Sequence, residues 1–257
     1  MQAEERQQRI EEYLQRVEFA SLDELSKQVG VSPSTVRRDL AILESAGNIR
    51  RTHGGARLLN PRSDEFLFNT REPLQLAEKE AIARAAAALV EPRESVIIDA
   101  GTTAYHVARE LESRRPQLIT NSLPVANLFS SSSQVEVVVS GGVIYPRLEV
   151  LVGPLAVGSI SAMHADVAMM SAGGISTEGI SNSHALLIDV QVAMIKAARR
   201  VVFCLDHTKF GRQSIAFLCG LDVVNTVVTD SGAPADLVQA LRDRGIEVVI
   251  APVASPA

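Results

Sequence analysis

Two groups of residues in this chain are placed to do chemistry. The first is the run from Val31 to Leu43, Val-Ser-Pro-Ser-Thr-Val-Arg-Arg-Asp-Leu-Ala-Ile-Leu. Val36, Leu40 and Leu43 recur at i, i+4 and i+7, which predicts one buried helical stripe. Ser34, Thr35, Arg37 and Arg38 then fall toward the other side, where guanidinium and hydroxyl groups can meet phosphates and base edges. The second group is a series of small polar turns, each following an apolar run: Asp99-Ala-Gly-Thr-Thr103, Asn121-Ser122, Ser140-Gly141-Gly142 and Asp206-His-Thr-Lys209. Gly101 would let a ligand approach the backbone, while Thr102 and Thr103 would present hydroxyls and N–H groups at a helix start, the makings of an anion seat. Lys209 would add positive charge, and Glu178, in a glycine-containing loop, a carboxylate for sugar hydroxyls. Spacing alone also fits plain helix caps and solvated loop side chains, so both readings stand at this point.

The elements that must position the first group can be read on either side of it. Ile10, Leu14 and Val17 mark a first helix; Ser21 caps a second, with Leu22, Leu25 and Val29 as its apolar face; Gly30 turns the chain into the third. Ser32 suits the N-cap and Pro33 the first helical position of a recognition helix from Ser32 to Ala46. This is a helix-turn-helix. Gly47 suits the end of that helix, and Ile49 to Leu59 predicts two short strands around His53-Gly54-Gly55, a wing. Arg50, Arg51 and Arg57 extend the positive surface, and His53 adds a neutral hydrogen-bonding group. The chain as a whole carries a net charge of −5, yet from Ser32 to Arg57 five arginines face only Asp39 and Glu44. The basic patch is local.

With 257 residues, 46% of them hydrophobic, the chain can build one large core and a small module. No apolar run approaches the roughly 20 residues of a membrane span, and the first residues lack the pattern of a secretory signal, so a cytoplasmic protein with no membrane partner is expected. Cys204 and Cys219 lie in apolar stretches without companions at metal-ligand spacing and are expected to be reduced core residues; no metal and no cofactor is called for. Composition shifts after Leu59. The expected organisation is a winged helix-turn-helix domain over 1–59, a linker over 60–77 that Phe66, Leu67 and Phe68 could dock, and an α/β domain over 78–257. In that domain an alanine-rich helix runs to Val90 and another begins at Thr102. Apolar runs at Ser95–Asp99, Leu118–Thr120, Val135–Val139, Val167–Met170, Val201–Leu205, Val224–Val228 and Glu247–Ile250, separated by helices, predict a mostly parallel sheet covered on both faces.

Taken together, these motifs resemble the DeoR family of bacterial sugar-metabolism regulators. Val31-Ser32 with Thr35-Val36-Arg37-Arg38-Asp39-Leu40, then Gly47 and Arg51-Thr52-His53-Gly54-Gly55-Ala56, match that family's helix-turn-helix signature almost position by position. The second half resembles its sensor domain through Asp99-Ala-Gly-Thr-Thr103, Thr120-Asn121-Ser122, Ser140-Gly141-Gly142 and Asp206-His-Thr-Lys209-Phe-Gly211. The resemblance implies a sequence-specific regulator, a repressor by the family's commoner behaviour, that holds operator DNA through Ser32, Ser34, Thr35, Arg37, Arg38, Arg50, Arg51 and His53. It implies a phosphorylated sugar as effector, its phosphate on Gly101, Thr102 and Thr103 near Lys209, beside Ser122, Gly141 and Gly142, and its hydroxyls toward Asp99, Asn121, Asp166 or Glu178. A homodimer or homotetramer reading repeated half-sites is expected. The sensor domain is also similar to ribose-5-phosphate isomerase, which raises an enzyme as the alternative. That enzyme's paired-carboxylate run would fall on Ser171-Ala-Gly-Gly174-Ile175, and its catalytic Glu position holds Gln191, an amide that cannot serve as general base. With only Asp189 or Glu178 as substitutes, no catalysis is expected.

Overall fold

Apolar spacing at the start of the chain becomes a small helical unit with a wing. The computed structural model describes residues 3–17, 19–45, 49–52, 54–58 and 67–253. Helix α1 (Ala3–Arg16) is followed by β1 (Ala20–Ser21), α2 (Leu22–Val29) and α3 (Pro33–Ser45), then by β2 (Ile49–Thr52) and β3 (Gly55–Leu58), which pair antiparallel. Ser21 caps α2 through a reciprocal pair of bonds: its Oγ accepts from Glu24 N at 3.3 Å, and its own N–H donates to Glu24 Oε2 at 2.8 Å. Gly30 closes the helix at φ +67°, a conformation that disfavours any side chain, and so directs the chain into α3. The core is Ile10, Leu14, Leu25, Val29, Val36, Leu40, Leu43 and Ile49.

Asp39 belongs to this interior rather than to the surface. It is buried beside Val36 and Leu40, and its carboxylate accepts from Arg6 Nε at 2.5 Å and Nη2 at 2.9 Å. The forked pair binds α1 to α3, and the hydrogen bond to Asp39 holds the Arg6 guanidinium above its ordinary range. Ala46, Gly47, His53 and Leu59 lie outside the described residues.

The chain divides at Leu67/Phe68. The second unit opens with α4 (Phe68–Arg71) and α5 (Leu76–Ala88), so residues 68–77, expected as linker, are built into it. The reason is burial: Phe68 packs edge-on against Tyr105 with ring centroids 5.5 Å apart, and the Lys79 ammonium donates to the carbonyls of Arg71, Glu72 and Leu74. Among the described residues, β4 (Ser95–Ile98), β5 (Gln117–Thr120), β6 (Glu136–Val139), β9 (Ala165–Met170), β12 (Ala198–Cys204), β14 (Thr226–Asp230) and β15 (Glu247–Ala251) form a seven-stranded sheet in the order β15-β14-β12-β9-β4-β5-β6. Every neighbouring pair is parallel.

Alternate residues of each strand feed opposite cores. Ile97, Ile119, Met170 and Phe203 face α8 (Pro154–Ser161), α9 (Ala185–Ala197) and α10 (Ala235–Asp243), whereas Val96, Ile98, Val202 and Cys204 face α5, α6 (Thr102–Leu111) and α7 (Leu123–Leu128). Burial pushes the Cys204 thiol up to about 12. Three features arise only in three dimensions: the hairpin of β7 (Val143–Tyr145) and β8 (Val150–Val152), and a small antiparallel sheet of β10 (Gly174–Ser176), β11 (Gly179–Asn182) and β13 (Ala216–Cys219). Their short, glycine-bearing segments give too little alternation to be read as strands. No helix among the described residues is long and apolar enough to cross a membrane.

Gly30→Ala forces a side chain into the left-handed region and is expected to cost about 1–2 kcal/mol. The check is the denaturation midpoint together with faster amide exchange in α2; an unchanged midpoint would show that the turn does not need glycine.

Candidate functional site

Helix α3 divides its residues as the apolar spacing requires. Val36, Asp39, Leu40 and Leu43 are buried, while Ser34, Arg37, Arg38, Ile42 and Ser45 are exposed along one face. Ser32 sits at the cap, its Oγ accepting from Thr35 N at 3.4 Å and lying 2.9 Å from Ser34 Oγ and 3.0 Å from Thr35 Oγ1. Arg37 and Arg38 make no hydrogen bond or ion pair with the other described residues, so both guanidinium groups are available to an external anion. Arg50 is partly buried on β2. Arg51 differs from expectation: its N–H donates to Glu44 Oε1 at 2.9 Å and its Nε to Glu44 Oε2 at 2.6 Å. It joins the wing to the end of α3 instead of standing ready for a phosphate. The backbone N–H of Arg51, and then its guanidinium, hold Glu44 below the usual carboxylate range. With Asp39 held by Arg6 and Glu44 by Arg51, both acids counted against the basic patch are neutralised internally.

In the second unit the parallel ladder brings the polar turns to one edge, because β4, β5, β6, β9 and β12 all end there. Asp99 follows β4 and is buried. Its Oδ1 accepts from Ala100 N at 2.7 Å, and its Oδ2 from Ser171 N at 3.0 Å, Ser171 Oγ at 3.1 Å and Gln191 Nε2 at 2.8 Å. Burial pushes this carboxyl above the usual range, against the pull of those donors. Asp99 is therefore committed to joining β4, β9 and α9, a correction to its expected contact with sugar hydroxyls. Gln191 continues the network, its Oε1 accepting from Asn182 Nδ2 at 2.9 Å.

Three other expected roles change for similar reasons. A Cβ on Gly101 would lie 1.7 Å from Ser171 Oγ, so glycine there serves strand-to-strand packing rather than ligand approach. Ser122 is buried and its Oγ accepts from Val125 N at 3.3 Å, capping α7. Gly141 and Gly142 turn the chain at φ +68° and +121°, and a Cβ on Gly142 would stand 2.7 Å from Val152 O. They fold the hairpin back over the edge. Asp166 lies at the opposite end of the sheet: it begins β9 and accepts from Ser95 N at 3.0 Å and Ser95 Oγ at 2.7 Å, bonds that hold its carboxyl low. It ties the amino ends of β4 and β9 and cannot reach the turns. Glu178, between β10 and β11, accepts from Gln213 Nε2 at 2.8 Å.

What remains at the edge is the buried start of α6 at Thr102 and Thr103, Asn121, and the turn Asp206–Lys209. Asn121 donates from Nδ2 to Leu151 O at 3.0 Å, which leaves its buried Oδ1 without a partner. Sequence reasoning missed the cations that join them. Burial lowers the Lys79 amine to about 8, with Asp206 opposing and Arg71 and Lys209 adding to the shift. Burial also lowers Arg71, opposed by the charges of Asp99 and Asp206, and lowers His184, where Arg71 and Arg147 act in the same sense. Arg71, Lys79, Lys209, His184 and Arg147 thus form a linked set of basic groups, drawn from segments with no common sequence motif.

Residues 6–62 match the family model of the DeoR-like helix-turn-helix domain, and residues 74–231 that of the DeoR C terminal sensor domain. The chain is 34% identical over 249 residues to the HTH-type transcriptional regulator GolR of Listeria innocua, covering 96% of this chain and 98% of that one. It is 32% identical over 250 residues to the uncharacterized HTH-type transcriptional regulator YulB of Bacillus subtilis, covering 97% of each. Among solved structures, ribose 5-phosphate isomerase A from Methanocaldococcus jannaschii overlaps 51% of this chain and 53% of its own at 17% identity, with a TM-score of 0.38.

Gly101→Ala is expected to destabilise the chain by about 1–3 kcal/mol through overpacking against Ser171, and Ser171→Gly in the same chain to cost less than the sum of the two changes. Urea denaturation of the single and double variants measures this; full additivity would show that the two residues do not meet. Lysine-resolved NMR should find Lys79 titrating near 8, and an ordinary midpoint of 10.5 would mean the amine is hydrated.

Proposed function

The chain belongs to the DeoR family of transcriptional regulators, and on that footing we propose that it is a repressor of sugar-metabolism genes whose C-terminal unit responds to a phosphorylated sugar. The observation that carries the effector assignment is the excess of cationic groups at the carboxyl edge. Arg71, Lys79, Lys209, His184 and Arg147 are set against Asp99, which is saturated with donors, and Asp206, which already accepts from Thr208. A phosphate placed on the N–H groups at the start of α6, with Lys209 beside it, supplies the missing negative charge and gains from the helix terminus. A sugar hydroxyl donating to Asn121 Oδ1 would satisfy an acceptor whose isolation costs about 1–3 kcal/mol. The isomerase alternative lacks support here, because Gln191 is bonded at both ends of its amide and offers no carboxylate to move a proton.

For the N-terminal unit, the proposal places α3 in the major groove of operator DNA. Arg37 and Arg38 are consecutive, hence about 100° apart around the helix, so one reads a base edge while the other holds the backbone. Arg50, and His53 if the wing brings it close, add contacts. One such module reaches too few bases for a specific site, which supports a homodimer or homotetramer on repeated half-sites, working in the cytoplasm where its operator lies. The effector shifts DNA binding only by the ratio of its affinities for the DNA-competent and DNA-incompetent states.

Arg38→Ala is expected to weaken binding to a duplex selected from a random pool by about 1–3 kcal/mol, or roughly 5- to 150-fold, in fluorescence anisotropy. Retained affinity and sequence preference would remove Arg38 from the interface. Thermal shift against a panel of pentose and hexose phosphates should find at least one that raises the melting temperature, with Lys209→Ala weakening it at least tenfold. A panel without effect would overturn the effector assignment and leave DNA binding standing.

A further inference from the structure

We propose that the Arg71 guanidinium is an anion-binding group of the effector site, so that a bound phosphate fastens the 68–75 segment to the C-terminal unit; this rests on the reading of the site as a receptor for a phosphorylated sugar. Position comes first. Phe68 packs its ring on Tyr105, and Glu72 Oε1 lies 3.0 Å from His106 Nε2, so both ends of α4 meet consecutive residues of α6. That helix is the one whose first residues, Thr102 and Thr103, form the candidate phosphate seat. Lys79 holds the same segment from beneath, its ammonium donating to the carbonyls of Arg71, Glu72 and Leu74. Its donors are occupied by backbone oxygens, which leaves the turn fixed and the Arg71 side chain as its uncommitted charge.

Pairing comes second. Arg71 is partly buried, and it makes no hydrogen bond or ion pair with the other described residues. The acids whose charges reach it are poorly placed to serve: Asp99 accepts from Ala100, Ser171 and Gln191, and Asp206 accepts from Thr208. A desolvated guanidinium without a counter-ion is costly, whereas a planar fork facing a phosphate gains paired, charge-assisted hydrogen bonds. An anion arriving at the edge would therefore find in Arg71 a cation that the fold leaves unneutralised. Arg71 lies four residues beyond Leu67, where the N-terminal unit ends. Occupancy of the site is thereby written into the segment that leads directly to the DNA-binding half of the chain.

The test uses the full chain, with inorganic phosphate as probe and chloride at matched ionic strength as control. Without phosphate, Arg71→Gln should melt at or above the wild-type temperature, because an unpaired charge has been removed. A clear drop would assign Arg71 a structural role and overturn the proposal. With phosphate, the wild type should be stabilised and its 68–75 amides should exchange more slowly; Arg71→Gln should bind at least tenfold more weakly and lose that protection, with Arg71→Lys in between. Equal phosphate affinity in the wild type and Arg71→Gln would overturn the Arg71 assignment while leaving the receptor reading intact. A wild type that takes up neither phosphate nor any sugar phosphate of the panel would overturn both.

Discussion

Parallel pairing is the constraint on which the second unit depends. A parallel neighbour cannot be reached by a tight hairpin, so the chain crosses back over a face of the sheet before each new strand, and the strands share one direction. All their carboxyl ends then lie along one edge. Turns that are far apart in the chain, after β4 at Asp99, after β5 at Asn121 and after β12 at Asp206, become neighbours for this reason. The same constraint makes the strands apolar on both sides, which concentrates the polar residues at the two ends of the sheet.

The two ends use their polar residues differently. At the amino edge Ser95 and Asp166 bond each other closely and tie β4 to β9. At the carboxyl edge Asp99, Ser171 and Gln191 make the corresponding tie, satisfying the carboxylate from inside the fold. Saturation of that acid is what leaves the surrounding bases with too little negative charge. A polar residue in a strand-to-helix turn is thus not by itself a ligand contact: Gly101 makes room for Ser171, Ser122 caps α7, and Gly142 yields to the returning hairpin. The groups left over, the α6 terminus, Asn121 Oδ1 and the basic set, are those the fold has not used.

The N-terminal unit shows the same economy of charge. Its acids are drawn inward or sideways, Asp39 to Arg6 and Glu44 to Arg51, and the pairs join α1 to α3 and α3 to the wing. Ion pairing that stabilises the unit also clears the exposed face of α3, where Arg37 and Arg38 remain. Structure and charge pattern are here two results of the same contacts.

Much of this was legible from residues alone because the forces involved are local. The stripe of Val36, Leu40 and Leu43, the caps at Ser21 and Ser32 and the turn at Gly30 depend on neighbours within one or two helical turns. The seven strands of the main sheet announce themselves by unbroken apolar runs. The sequence therefore determined the helix-turn-helix, the parallel sheet and the turns that could bear ligands. Tertiary structure alone decided which polar groups are spent and which are free, since Asp99 meets partners 72 and 92 residues away and Arg6 meets one 33 away. Arg71 and Lys79 carry no motif to mark them, and Asp166 looks the same in sequence at either end of a strand. Strand order and direction set those distances, and a hydrogen bond is made or left open only once they are fixed.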